Sequence, residues 1–302
     1  MANQAAPNKA GGPRAALLPD GRRLHLNHGP IDLVIEGFGD PADVRAAYAR
    51  ATAYFAGVLD GLVGELPILR RPIDPATPEP EGAVARRMVA ACRPYSGVFV
   101  TPMAAVAGAV ADAVMAAMLK GGDLARAYVN NGGDIALHLA PGSRFETGLV
   151  TTVGRPERAG VITVTATMPV RGIATSGRGG RSLGLGIADA VTVLARNAAA
   201  ADVAATLIAN AVDLDHPAIE RLPACDLDPD SDLGERLVTV AVGRLDQDAI
   251  SAALAAGAAR AERLRGAGLI HGAVLVLARR RRLVGDVPTA LASSGDEGSR
   301  PS

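Results

Sequence analysis

The sequence predicts an α+β fold, a mixed sheet covered by helices, from three observations. Strand-like and helix-like segments alternate irregularly, without the regular βαβ rhythm of a parallel sheet. Turn signals join neighbouring strand-like runs as hairpins, at Gly29-Pro30 and at Asn130-Asn131-Gly132-Gly133-Asp134. The chain of 302 residues is 49% apolar, enough for a full core, yet only 3% aromatic and without tryptophan. Such a core has to be built from Ala, Val, Leu and Ile, with its elements packed closely.

The elements follow in order. Residues 24–28 and 31–36 alternate as strands around Gly29-Pro30. Asp40 caps a helix with Pro41 in its first position. Val44, Tyr48, Ala51, Phe55, Val58, Leu62 and Leu66 continue its apolar stripe at spacings of three and four. Residues 72–82, with four prolines, read as a loop, 83–91 as a short helix and 97–100 as a short strand. Thr101-Pro102 opens an Ala-rich helix that Gly121-Gly122 ends, and its Gly108 permits close backbone approach. Strands are expected at 127–129, 135–139, 145–153, 161–168 and 190–194, then a helix at 199–212 and a short one at 216–222. A strand at 237–242, a long helix at 246–266 and an apolar strand at 269–278 close the domain. Residues 1–20 and 286–302, tracts of Pro, Gly, Ser and charge, read as disordered tails around a single domain, 21–285.

Charge and composition exclude several classes. With 31 basic and 31 acidic residues the net charge is zero, which argues against a nucleic-acid partner. The run from Arg279 to Arg282 reads as a solvated strand end. Residues 103–119 are too short for a membrane span and carry Asp112 in their middle, so a buried helix is expected there. The first twenty residues lack the apolar core of a secretory signal, and the chain reads as soluble and cytoplasmic. Two cysteines, Cys92 and Cys225, are too few for a disulfide framework.

The chemistry-bearing stretch lies between residues 171 and 206. Residues 173–182 form a glycine-and-arginine loop, whose bare N–H groups suit an anion while Arg178 and Arg181 add positive charge. Asp202 and Thr206, four apart on a helix, point their oxygens the same way and suit a hard cation. The Asn130–Asp134 turn is a second glycine-rich approach point. Each has a plain reading: a hairpin turn, a ligand-free loop, a helix cap and a back-bonded threonine. Together they point to a small phosphate-bearing ligand with a divalent metal. The histidines offer no joint metal site, since His25 and His28 face opposite sides of a strand and His138, His216 and His271 stand alone. Cys92, next to Arg93, is a candidate for a lowered pKa, whereas Cys225 sits beside acidic residues.

These motifs resemble the ApbE superfamily of flavin transferases. Its Asn-x-Gly-Gly-Asp, Ala-Thr-Ser-Gly and Ala-Asp-x-x-x-Thr signatures are matched in order by residues 130–134, 174–177 and 201–206. The Lys-Gly-Tyr-Ala-x-Asp signature is similar to residues 107–112, where Gly108 and Asp112 match and the lysine is Ala107. Stretches such as His28–Leu33 and Tyr128–Asp134 look like the branch of this superfamily catalogued as an uncharacterised protein family. The resemblance implies an ApbE-like mixed-sheet fold with two interlocked halves. It also implies a pocket for FAD or FMN made by Asn131, Gly132, Gly133, Asp134, Thr175, Ser176 and Gly177, and Mg²⁺ on Asp202 and Thr206. The family's His-x-x-Asp-Pro-x-Thr-Gly segment is missing between Gly177 and Val191. The resulting expectation is a flavin- or phosphate-ligand-binding protein whose flavin transfer is weak or lost. The alternatives are an active FAD:protein FMN transferase and a persulfide carrier using Cys92 or Cys225.

Overall fold

The computed structural model describes residues 11–152, 155–180 and 182–291. Its largest feature is a nine-stranded sheet. The first five strands in spatial order are β1 (Arg14–Leu17), β2 (Leu24–His28), β3 (Ile31–Gly39), β4 (Leu124–Asn131) and β5 (Asp134–Leu139). They are followed by β8 (Gly172–Ser176), β9 (Ala190–Ala195), β12 (Gly272–Leu277) and β13 (Arg280–Gly285), with every neighbouring pair antiparallel. β6 (Arg144–Thr152), β7 (Arg155–Thr165) and β14 (Thr289–Leu291) form a second sheet, and β10 (Ile219–Pro223) and β11 (Leu237–Val242) a ribbon. The helices are α1 (Pro41–Phe55), α2 (Val58–Gly64), α3 (Leu66–Leu69), α4 (Ala83–Cys92), α5 (Val106–Met118), α6 (Ala198–Ala211), α7 (Ala224–Leu227) and α8 (Gln247–Gly266). The α+β class expected from the sequence is what the chain forms.

Alternation along the central strands builds two cores. Val191, Val193 and Ala195 of β9 face the helices, while Ala190 and Leu194 face the second sheet. β9 and β12 are buried along their whole length, so both read as continuous apolar runs. The two parts of the large sheet meet at β5 and β8, which pair only through Ile135↔Ile173 and Ala136↔Gly172. Past Ile135 that ladder stops, and a cavity lies there.

Six local expectations change. The helix read through residue 66 breaks into α1, α2 and α3, because Gly57 and then Glu65 leave the helical region between them. Residues 97–100 are not a strand, although Val100 O accepts the Ile73 N–H at 2.8 Å. Residues 173–176, read as part of the loop, belong instead to β8 (Gly172–Ser176). Residues 216–222 were expected to be helical, but 219–223 form β10, which satisfies its backbone against β11. Arg280, Arg281 and Arg282 begin a further strand, β13, after a turn in which Ala278 and Arg279 have φ of 48° and 65°. Parts of both expected tails are ordered: β1 pairs with β2, and β14 with β7. All four residues of β1 have exposed side chains, so no apolar pattern announces it. Residues 1–10 and 292–302 lie outside the described residues.

At the centre, α5 and α6 cap each other. The N-terminal amides of a helix lack intrahelical partners. Asp112 of α5 accepts the Ala198 and Ala199 N–H groups at 3.0 and 2.9 Å, and Asn197 accepts that of Ala200 at 2.8 Å. In return, Asp202 of α6 accepts the Gly108 N–H at 2.9 Å. Contact this close needs Gly108, since a Cβ there would lie 2.3 Å from the Ala198 carbonyl oxygen. Backbone cannot yield as a flexible side chain would. Gly108→Ala is therefore expected to destabilise the fold by about 3 kcal/mol, at the upper end of overpacking costs. Urea denaturation checks this, and an unchanged midpoint would show that the helices are not in contact here.

Candidate functional site

The residues singled out in the sequence come from three elements that converge on one cavity of about 300 Å³. The β4–β5 hairpin supplies Asn131, Gly132 and Asp134; the end of β8 supplies Thr175, Ser176 and Gly177; α6 supplies Asp202 and Thr206. Arg178, Gly179 and Gly180 continue the wall. Gly133 is not among the cavity's lining residues. Arg181 lies outside the described residues.

The hairpin turn is built by its glycines. Gly132 and Gly133 have φ of 66° and 113°, the positive values a tight two-residue turn requires at both centres. Asn130 Oδ1 accepts the Gly133 N–H at 2.9 Å and closes the turn. Asn131, only 4% exposed, donates from Nδ2 to Ala107 O at 3.1 Å. The turn is thereby tied to the start of α5. On the opposite wall Thr175 Oγ1 lies 2.9 Å from Thr192 Oγ1, a cross-strand hydroxyl pair between β8 and β9.

Asp202 is the most perturbed acid of the site. Burial, and next the Asp134 carboxylate, push its carboxyl well above the usual carboxylate range, against the opposing pull of the Gly108 and Ala107 amides. Burial also raises Asp112, against its bonds to Ala199 and Ala198. Asp202, Thr206 and Asp134 are hard oxygen donors, the chemistry a divalent cation prefers. Among the described residues no cluster of three or more His, Cys, Asp or Glu suits a metal. A cation here would take its remaining ligands from a bound phosphate and water.

Two residues carry roles the sequence reading missed, Asp189 behind the wall and Asn210 on it. Asp189, 7% exposed, holds Arg178: Arg178 Nε donates to Asp189 Oδ1 at 2.8 Å. Asn210 on α6 accepts the Leu185 N–H at 2.9 Å and anchors the far end of the loop. The available signal for Asp189 is its position, a lone acid between Ala188 and Ala190 at the edge of an apolar run. No histidine lines the cavity among the described residues. His28 is buried and meets Phe55 edge-on, with ring centroids 6.5 Å apart.

With the geometry in place, comparison with known proteins identifies the relatives. The family model described as AbpE bacteria matches residues 15–287. The chain belongs to this ApbE-like family. Similar curated proteins carry the name UPF0280 protein. The one from Methanosphaerula palustris is 35% identical over 164 residues, 51% of this chain and 63% of that protein. The one from Methanosarcina acetivorans is 32% identical over 183 residues, 60% and 69% of the two chains. The one from Methanopyrus kandleri is 31% identical over 211 residues, 67% and 80%. The chain thus spans less than two thirds of the Methanosphaerula relative. Among the described residues, no helix of this ApbE-like protein is long and apolar enough to cross a membrane.

Cys92 does not behave as its neighbour suggests. Cys92 is fully buried, with Sγ 3.5 Å from Thr101 O. Burial, and then Asp202, push its thiol up, the reverse of the lowering expected from Arg93. Cys225 is half-buried, on α7. Iodoacetamide at pH 8 should therefore label Cys225 in the native protein and Cys92 only after unfolding. Peptide mass spectrometry reads both, and native labelling of Cys92 would contradict this packing.

Proposed function

We propose that the cavity binds a flavin nucleotide, FAD or FMN, through its phosphates, with Mg²⁺ held by Asp202 and Thr206. The observation that carries this reading is the convergence of the Asn131–Asp134 turn, the Thr175–Gly177 turn and the Asp202/Thr206 helix face around one cavity. Family membership supports it. The turns bring backbone N–H groups to the ligand, and α6 presents two hard oxygens one helical turn apart. Bound there, a divalent cation neutralises phosphate charge and polarises the phosphoryl oxygens. The meeting of the two sheet parts at β5 and β8 supports the two-half organisation of ApbE-like folds.

Flavin transfer to a protein hydroxyl is proposed to be weak or lost. Transfer needs a group to deprotonate the acceptor and charge to stabilise the moving phosphoryl group. Ala107 stands on the cavity wall where the resembled transferases carry lysine, and loop 178–189 contains no histidine. Loss of general-base catalysis alone lowers rates on the order of 10²–10⁴-fold.

Two measurements follow. Asp202→Asn retains an oxygen to accept the Gly108 N–H and removes a charge that burial and Asp134 disfavour. Without metal the variant should be at least as stable as the parent, while its Mg²⁺ affinity, by calorimetry in the presence of ADP, falls about tenfold or more. Equal Mg²⁺ binding by the two proteins rules out the metal assignment. In the second, the protein is incubated with FAD, Mg²⁺ and an acceptor domain beside an active family transferase. In-gel fluorescence should show no covalent flavin at times when the control is complete, and labelling at the control's rate would restore full transferase activity.

A further inference from the structure

Among the described residues lining the cavity, Arg178 is the only cation. Its charge is already engaged. Nε donates to Asp189 Oδ1 at 2.8 Å, and Nη2 lies 2.8 Å from the same oxygen. Asp189 in turn is fixed from several sides. Its Oδ2 accepts the Ala278 N–H at 2.6 Å, and its own N–H donates to Val276 O at 2.9 Å. A Cβ on Gly177 would come within 2.5 Å of its carbonyl oxygen, so the chain passes tightly against it. Asp189 therefore cannot follow Arg178 into the cavity.

The turn that Asp189 grips is itself costly. Ala278 and Arg279 have φ of 48° and 65°, a left-handed conformation that non-glycine residues adopt only when their surroundings enforce it. The bond to the Ala278 N–H supplies part of that enforcement. One buried carboxylate thus ties the β12–β13 turn to the cavity wall. A free anion entering the cavity meets the Asp202 carboxylate and an arginine whose charge Asp189 balances. A phosphate carrying its own divalent cation meets an attractive field.

We infer that Asp189 is a positioning residue that sets the specificity of this site. By pinning and neutralising Arg178, it makes the cavity take phosphate as a complex with a divalent cation and disfavour the free anion. The inference rests on reading the cavity as a phosphate site.

The test titrates ADP and inorganic pyrophosphate into the full-length protein, Asp189→Asn, and Asp189→Asn with Arg178→Gln, each in EDTA and in excess Mg²⁺. Asparagine keeps an oxygen for the Ala278 N–H, and the same series in an Ala278→Gly background removes the turn's need for that grip should the single variant fold poorly. The parent is expected to bind ADP about tenfold or more tightly with Mg²⁺ than in EDTA, a ratio typical of steering by a few close charges. Asp189→Asn should gain about tenfold in EDTA, through Arg178, so the double variant loses that gain. A merely structural Asp189 would instead lower affinity in both media in step with thermal stability. That result, or unchanged EDTA affinity in a folded Asp189→Asn, overturns the inference. If the parent binds ADP in neither medium, the phosphate-site reading fails. A gain of pyrophosphate binding in EDTA by Asp189→Asn, abolished by Arg178→Gln, would then still uphold the role of Asp189, and its absence would end that too.

Discussion

The reciprocal capping of α5 and α6 is the constraint on which the rest of the structure depends. Each helix would otherwise begin inside the protein with N–H groups that water does not reach. A buried N–H left without a partner costs about 1–3 kcal/mol, so Asp112, serving two amides of α6, is worth several times an ordinary surface contact. The exchange works only at very short range. Gly108 and the alanines around it bring the backbones together, in keeping with a chain that is only 3% aromatic and has no tryptophan. The bond from Gly108 also places Asp202 on the wall of the cavity, so one carboxylate holds the helix pair and presents charge to a ligand.

From that pair the cavity follows by geometry. α5 receives the Asn131 side chain at Ala107, which fixes the β4–β5 turn, while α6 carries Asp202 and Thr206 past the end of β8. The large sheet is held at this seam by the short β5–β8 ladder, and the opening beyond it is where three chain segments distant in sequence come together. The charges are arranged unevenly. Among the described residues, Asp202 lines the space and the one arginine on its wall, Arg178, is bound to Asp189. Such a field is unfavourable for bare phosphate and favourable for a metal-bound one.

Much of this was legible in the sequence because its signals were local. Asp40 before Pro41 and the Asn-Asn-Gly-Gly-Asp turn announce themselves by residue type, and each is found as expected. The turn, Thr-Ser-Gly and Asp202/Thr206 motifs were each ambiguous alone, yet they meet around one cavity. What was not legible depends on partners far away in the chain. β8 has too few residues and too many small ones to show a period, and it is a strand because β9 supplies its ladder. β1 has no buried face and exists through backbone pairing alone. Arg178 reads as a free cation beside glycines, because nothing local reveals that Asp189 lies within bonding distance. Cys92 misled for a similar reason: its neighbour Arg93 mattered less than burial under α5 and α6.

A crystal structure of the protein grown with FAD and Mn²⁺, with anomalous differences collected for manganese, tests the central claim most directly. This account predicts a manganese peak within bonding distance of Asp202 and Thr206. It also predicts the FAD diphosphate between the Asn131–Asp134 and Thr175–Gly177 turns. A manganese site elsewhere, or FAD bound outside this cavity, would contradict it.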